Sequence, residues 1–398
     1  MDALATPLPK DWEVKTFRDI STINQGLQIP ISQRLKAPTE HAKFYITIQA
    51  LNNRKEFEYI KTYNENVVCY KDDILMTRTG NTGMVITNIE GVFHNNFFKI
   101  NFDRTLINKD FLVYFLSLEQ TQKTILRKAG TSTIPDLNHN DFYSLSIPIP
   151  PLNEQIAIAN ILSALDRYLY ALDALILKKE SVKKALSFEL LSQRKRLKGF
   201  NQNWQRVRLG TYKYRRGSFP QPYGNLQWYS DNGMPFVQVY DVGENFKLTQ
   251  KTKQKISKIA QPMSVFVPKN SVIITLQGTI GRVALTQYDC YCDRTILIFD
   301  NNTLNDVNKY FFVLSLFTKF EEEKRKADGS IIKTITKQTL KDFEILLPPL
   351  NEQIAIANVL SDLDHEIISL KNKKRQFENI KKALNHDLMS AKIRILNK

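Results

Sequence analysis

The sequence predicts an α+β chain built twice. Two globular mixed α/β domains are separated by two long helices, and the helices pair as an antiparallel coiled coil, so that the tandem duplication has pseudo-two-fold symmetry. Three observations predict this. The eleven residues Pro150–Asn160 (PPLNEQIAIAN) recur unchanged as Pro348–Asn358, an offset of 198 (150 to 348) in a chain of 398 residues. Behind each copy lies a long segment with no Gly or Pro inside it, whose apolar residues alternate at spacings of four and three, the rhythm of a coiled-coil seam. Ahead of each copy lie roughly 150 residues, the size of one domain, that agree between the halves only at scattered glycine and apolar positions.

The elements follow in order. In residues 1–151, Lys43–Ile48, Val67–Tyr70 and Gly83–Thr87 read as strands and Phe111–Leu118 as a helix, from their β-branched and helical patterns. Residues 152–200 hold the first long helix, Asn153 to about Arg196. Two prolines stop the preceding strand, Asn153 is placed to cap, and Glu154 sits where the helix dipole favours an anion. Its seam is Ile158, Leu162, Leu165, Leu169, Leu172 and Ile176, continued by Val182, Leu186 and Leu190. Gly199–Asn203 is a polar break. Residues 201–349 form the second globular domain, with strands at Pro235–Val239 and Ser271–Thr275 and a helix at Tyr310–Phe317. Residues 350–398 repeat the helix, with a seam of Ile356, Leu360, Leu363, Ile367 and Leu370, then Phe377, Ile380, Leu384 and Leu388; Lys374 stands where the first copy has Ile176. A helix of about 40 residues spans about 60 Å. Two such matched seams satisfy each other better than either satisfies its own small domain, so Ile158, Leu162, Leu165, Leu169 and Leu172 of the first helix and Ile356, Leu360, Leu363, Ile367 and Leu370 of the second are expected at the helix-pair interface.

The duplication extends beyond the eleven residues. Lys183-Lys184-Ala185-Leu186 aligns with Lys381-Lys382-Ala383-Leu384, Gly80-x-x-Gly83-x-Val85 with Gly278-x-x-Gly281-x-Val283, and Leu116-Ser117-Leu118 with Leu314-Ser315-Leu316. The part after Pro-Pro does one job twice; the part before it does two different jobs on one scaffold.

Composition narrows the partner class. Lys plus Arg number 56 against 40 Asp plus Glu, a net charge of +16, which favours a polyanion. No run of about 18 apolar residues exists to span a membrane, and no signal peptide is visible at Met1–Lys10. Three cysteines, Cys69, Cys290 and Cys292, are too few for a disulfide framework and fit a reducing, cytoplasmic setting with structural roles.

Motifs for chemistry are scarce. There is no Gly-x-x-x-x-Gly-Lys-Ser/Thr phosphate loop, no Asn-Pro-Pro-aromatic or Asp-Pro-Pro-aromatic methyltransferase tetrapeptide and no metal spacing among the five histidines. Binding chemistry remains. Arg, Asn and Gln pair bidentately with guanine or adenine edges, and glycine permits close backbone approach. On that basis Arg78, Thr79, Asn81 and Thr82 in the first glycine-flanked turn, and Gln277, Thr279 and Arg282 in its repeat, are candidate DNA contacts. Asn95, Arg215, Arg216 and Arg294 are further candidates, against the plainer reading of each as a solvated surface residue or an ordinary turn.

The whole layout resembles the specificity (S) subunit of type I restriction-modification systems. The carrying residues are the two PPLNEQIAIAN segments, the long helices behind them and the paired Gly-x-x-Gly turns. The segment ahead of each Pro-Pro departs slightly from the family's Pro-Leu-Pro-Pro, reading Ile147-Pro148-Ile149 in the first copy and Ile345-Leu346-Leu347 in the second. The resemblance implies that 1–151 and 201–349 are target recognition domains, each reading one half of a bipartite, asymmetric site on double-stranded DNA. The helices at 152–200 and 350–398 would set the spacer and dock two methyltransferase (M) subunits, joined by endonuclease/translocase (R) subunits, and the complex would direct adenine methylation or restriction. It also implies no catalysis and no cofactor in this chain: S-adenosylmethionine would belong to the M subunits, ATP and Mg to the R subunits. Two other readings compete. One is a stand-alone tandem DNA-binding regulator; the other is the specificity subunit of a related restriction enzyme that cuts beside its site.

Overall fold

The computed structural model describes residues 8–52, 57–243, 245–278, 280–326 and 337–395. It divides into two compact units: one takes the chain up to Ala174 together with residues from Asn372 onward, the other Leu175–Lys371. Each unit therefore owns one globular part and half of each long helix.

In the first unit the globular part carries two small sheets. Ser21–Gln25, Phe97–Phe102, Ile74–Thr77 and Val85–Ile86 lie side by side, all antiparallel. The second sheet runs Tyr59–Ile60, Lys43–Ile46, Gly91–Phe93, Val68–Cys69, and its central pair, Tyr45 opposite Val92, is parallel. Glu13–Thr16 closes the domain by pairing antiparallel with Ser146–Ile149, the strand that leads into the first Pro-Pro. The helices are Lys109–Leu116, capped by the Asn108 side chain on the Phe111 N–H, and Glu119–Ala129. Strands such as Ile74–Thr77 are buried on both faces, and so read as apolar runs rather than alternations.

The second unit repeats the plan. Tyr214–Arg216, Ile296–Phe299, Val272–Thr275 and Val283–Leu285 form one sheet; Gln254–Ile256, Tyr229–Val237, Cys290–Cys292 and Val265–Val267 form the other, again with a central parallel pair, Phe236 opposite Tyr291. Gln205–Arg208 pairs with Glu344–Leu347 ahead of the second Pro-Pro. The three cysteines are free thiols buried in the second sheets, and burial pushes the Cys69 thiol up to about 12.

The long helices are Leu152–Leu191 and Leu350–Met389. Each begins one residue before the expected cap: the side chains of Asn153 and Asn351 accept only from the next N–H, that of Glu154 and Glu352. The first ends five residues short of the expected Arg196. Gln193 turns left-handed at φ 60°, and Lys195 N–H bonds back to Glu189 O. Ala391 (φ 57°) and Ile393 N–H on Asp387 O repeat this at the second helix.

Within each unit the two helix halves run antiparallel. In the first, Lys381 pairs with Asp166, the ring of Phe377 lies 4.7 Å from that of Tyr168, and Lys374 Nζ is 2.7 Å from Asp173. Lys374, the break in the apolar stripe, is thus an ion-pair position. In the second unit, Lys183 pairs with Asp364, Lys179 with Glu366 at 2.8 Å and Lys371 with Glu180 at 2.6 Å. Of the expected seam, Ile158, Leu162, Leu172, Ile356, Leu360 and Ile367 are buried, and Leu165, Leu169, Leu363 and Leu370 partly so. Ile158 and Leu162 do more than face a helix. They join a core with Phe111, Leu116, Phe142 and Leu388 of their own unit, as Ile356 and Leu360 join Phe311, Leu316 and Leu190.

Candidate nucleic-acid interface

The two repeated prolines are followed by a buried acid and a buried amide, and these lock the helix start to the globular part. Glu154 accepts from the Trp12 indole N–H (3.1 Å) and from Arg394 Nη2 (2.8 Å), which also bonds Asp11. Glu352 accepts from the Trp204 indole (3.1 Å) and from Arg196 Nη2 (2.5 Å). Gln155 accepts from Asn108 N–H (2.8 Å) and donates to Pro150 O and Leu106 O (both 2.9 Å). Gln353 accepts from Asn308 N–H (2.9 Å) and donates to Pro348 O (2.8 Å). About three turns further along each helix, Tyr114 donates to Asp166 (2.7 Å) and Tyr310 to Asp364. Burial first, then the neighbouring carboxylate, pushes both phenols well above their ordinary value, so both remain donors. The invariance of the repeat is thus largely the requirement of a joint built twice.

The divergent side chains gather at one end of the first sheet in each unit. Three segments meet there. In the first unit they are the end of the strand at Gln25-Gly26, the turn His94–Phe97 and the turn Thr77–Gly83. Gly26 N–H bonds Phe97 O (3.2 Å), Phe97 N–H bonds His94 O (3.0 Å), and Arg78 N–H bonds Asn96 O (2.7 Å). The second unit makes the same three bonds: Gly217 to Ile296 O (2.9 Å), Ile296 to Asp293 O (2.9 Å) and Leu276 to Thr295 O (2.8 Å). Glycine is compulsory at the crossing. A Cβ on Gly26 would lie 2.2 Å from Phe93 O and 2.3 Å from His94 O; one on Gly217 would meet Asp293 O and Cys292 O at the same distances.

The candidate residues fare differently at this edge. Arg78 ion-pairs with Asp136 (2.7 Å) and lies over the Phe98 ring, Thr79 bonds the same carboxylate, and the buried Thr82 donates to Pro135 O (2.6 Å). These three tie the turn to 135–137, which leaves Asn81 as its exposed side chain. In the repeat Gln277 is exposed, Arg282 is partly buried with Nη1 on Val242 O (3.1 Å), and Thr279 lies outside the described residues. Arg215 and Arg216 are both exposed, and Arg215 Nη2 reaches Phe266 O (3.1 Å). Arg294 is exposed with its guanidinium 5.2 Å from the centroid of the Tyr223 ring. Asn95 occupies the matching turn position of the first unit and donates weakly to Gln28 Oε1 (3.5 Å); its own carbonyl oxygen has no hydrogen-bond partner.

Sequence reasoning missed Gln25, Gln28 and Tyr223. Asp293, buried, accepts from the Tyr223 hydroxyl (2.6 Å), and burial with that bond pushes the phenol up. Gly26 and Gly217 were the available signal. They stand 191 apart (26 to 217) rather than 198, so the dominant offset hid them. His94 holds the place of Asp293. Burial, aided by Arg34, lowers its pKa, and its Nδ1 accepts from Asn96 N–H (3.2 Å). Among the described residues no group of three or more His, Cys, Asp or Glu is placed to hold a metal ion, and no helix is long and apolar enough to cross a membrane.

A duplicated α+β scaffold of this kind is known from solved proteins. The fold is similar to that of the type I restriction-modification S subunit of M. genitalium (TM-score 0.60, 16% identity, 96% of this chain and 98% of that one) and of the HsdS subunit of Thermoanaerobacter tengcongensis (TM-score 0.51, 19% identity, 98% and 99%). The chain belongs to the family described as type I restriction modification DNA specificity domain, which it matches over residues 9–183 and 220–379. Among curated relatives it is similar to the type I restriction enzyme MjaVIII specificity subunit of Methanocaldococcus jannaschii, 24% identical over 98% of this chain and 95% of the relative.

Proposed function

We propose that this chain is the DNA sequence-specificity subunit of a type I restriction-modification complex and that its two globular parts each read one half of a bipartite, asymmetric site on double-stranded DNA. The observation that carries the reading is the contrast inside the duplication. The joint around Glu154–Gln155 is reproduced at Glu352–Gln353, while the exposed side chains at the sheet end differ. The net charge of +16 supports a salt-sensitive affinity for DNA backbone, on which a few base contacts impose sequence.

In this reading the paired helices set the spacer and dock two M subunits. Support comes from Ile156 and Ile354, which hold the same place in the repeat and are 42% and 41% exposed. The joint does not need them, so a like surface offered twice suits two copies of one partner. R subunits join that core. S-adenosylmethionine enters with M, and ATP and Mg with R, in the cytoplasm; this chain contributes recognition rather than catalysis.

Co-purification with the product of the adjacent gene, followed by native mass spectrometry, tests the reading. A one-to-two complex with a methyltransferase that binds a two-part duplex only when assembled is expected. A free chain that binds one specific site unaided would defeat it in favour of a regulator. Removing one heptad from one helix should shift the preferred spacer or abolish binding.

A further inference from the structure

The two sheet ends are built on the same backbone and carry different side chains, amides in the first unit and guanidinium groups in the second. Gln25 pairs with Phe98 across the first sheet and directly precedes Gly26; Arg216 pairs with Leu297 and directly precedes Gly217. Asn95 and Arg294 each occupy the second position of the turn whose carbonyls crowd that glycine. The register, the three hydrogen bonds and the glycine contacts all agree, so Gln25 corresponds to Arg216 and Asn95 to Arg294.

On this correspondence, and resting on the half-site reading above, we propose that Gln25 and Asn95 read an adenine in the half-site of the first unit, and that Arg216 and Arg294 read a guanine at the matching place in the half-site of the second. The chemistry is that of major-groove edges. A side-chain amide offers one donor and one acceptor, the complement of adenine N7 and N6, whereas a guanidinium offers two donors, the complement of guanine O6 and N7.

The surroundings suit each role. The first unit gathers amides: Gln25 Nε2 donates to the backbone Asn95 O (3.3 Å), Gln28 lies beside the Asn95 amide, and Asn95 Oδ1 is buried without a partner, an unpaired acceptor that a ligand donor satisfies once the side chain turns outward. The second unit holds a guanidinium in place: Arg294 lies over the Tyr223 ring, and Tyr223 is anchored by the buried Asp293. Such a cation–π contact restrains the fork before it meets a base. Arg78, by contrast, is consumed by Asp136, and Arg215 is tied by one bond to Phe266 O.

The test uses the chain assembled with its methyltransferase partner and a duplex library randomised over both half-sites, read by enrichment and by methylation sequencing. The double variant Arg216→Gln, Arg294→Asn should change one half of the consensus alone, with discrimination for one G·C pair falling about ten- to a hundredfold or turning to A·T. The reciprocal Gln25→Arg, Asn95→Arg should change the other half alone. An unchanged consensus with uniformly weaker binding and a shallower salt slope would place the arginines on phosphates and overturn the inference. So would a wild-type consensus with no G·C pair in either half, a result that needs no variant to fold. A wild-type complex that enriches no two-part motif at all defeats the half-site reading itself, and this inference with it.

Discussion

Replacing Gln155 by Met keeps the side chain's length and removes its polar end. Asn108 N–H then loses its acceptor, and Pro150 O and Leu106 O lose their donors. An orphaned, largely buried N–H costs about 1–3 kcal/mol and an ordinary lost hydrogen bond about 0.5–1.5. Leu106 is exposed, so water replaces much of its loss. Burying a thioether returns about 0.5–1 kcal/mol. The net expectation is about 2–4 kcal/mol taken from the first unit, and slightly less from the second for Gln353→Met, which loses the bonds to Asn308 N–H and Pro348 O. A single two-state unfolding curve does not serve a chain of two units. Peptide-resolved native-state hydrogen exchange does, because it gives an opening free energy for each unit separately. Losses confined to the mutated unit and similar in the two variants are expected. A loss below about 0.5 kcal/mol in either would refute the reasoning that buried polar bonding, rather than partner contact, dictates this amide.

Three further outcomes are expected. Arg196→Ala leaves the buried Glu352 carboxylate with the Trp204 indole N–H as its partner; breaking a buried pair costs about 3–5 kcal/mol, reduced here to about 2–3 because Arg196 is a quarter exposed, and thermal unfolding resolved by unit checks it. Gly26→Ala and Gly217→Ala force a Cβ to within 2.3 Å of backbone carbonyls; each should destabilise its unit by about 1–3 kcal/mol and raise exchange in the adjoining turn at 94–97 or 293–296. His94 has a folded pKa held below 6.5 by burial, so the unfolded chain takes up the proton first. Its contribution is present in full above about pH 6.5 and is lost as pH falls below it. The first unit should melt lower at pH 5.5 than at 7.5, and His94→Asn, which keeps an acceptor for Asn96 N–H, should flatten that difference.

Much of the architecture was legible because it was written twice. An eleven-residue identity admits few explanations, and a four-three apolar rhythm over a Gly- and Pro-free stretch demands a long helix with a partnered seam. The helix ends were less legible: Gln193 and Ala391 are ordinary helix formers, and only the chain's turn back toward the globular part places them left-handed. Among the candidate contacts, residue type alone could not separate Arg78 from Arg294. Both are turn arginines; one faces Asp136 and the other an open edge over Tyr223.

The sequence by itself determined the duplication, the helical seams, the basic charge and the place where constancy gives way to divergence. These are properties of order along the chain. Tertiary structure decided what the constant residues are for. Glu154 looked like a helix-dipole acid and proved to be the acceptor that joins Trp12 to Arg394, residues far away in sequence. It also decided which divergent residues correspond. Loop lengths differ between the halves, so equivalent positions drift from the common offset, and only hydrogen-bond register and the crowding at Gly26 and Gly217 restore the match. Spacing along a chain is one-dimensional; a recognition edge is made where three separate segments meet.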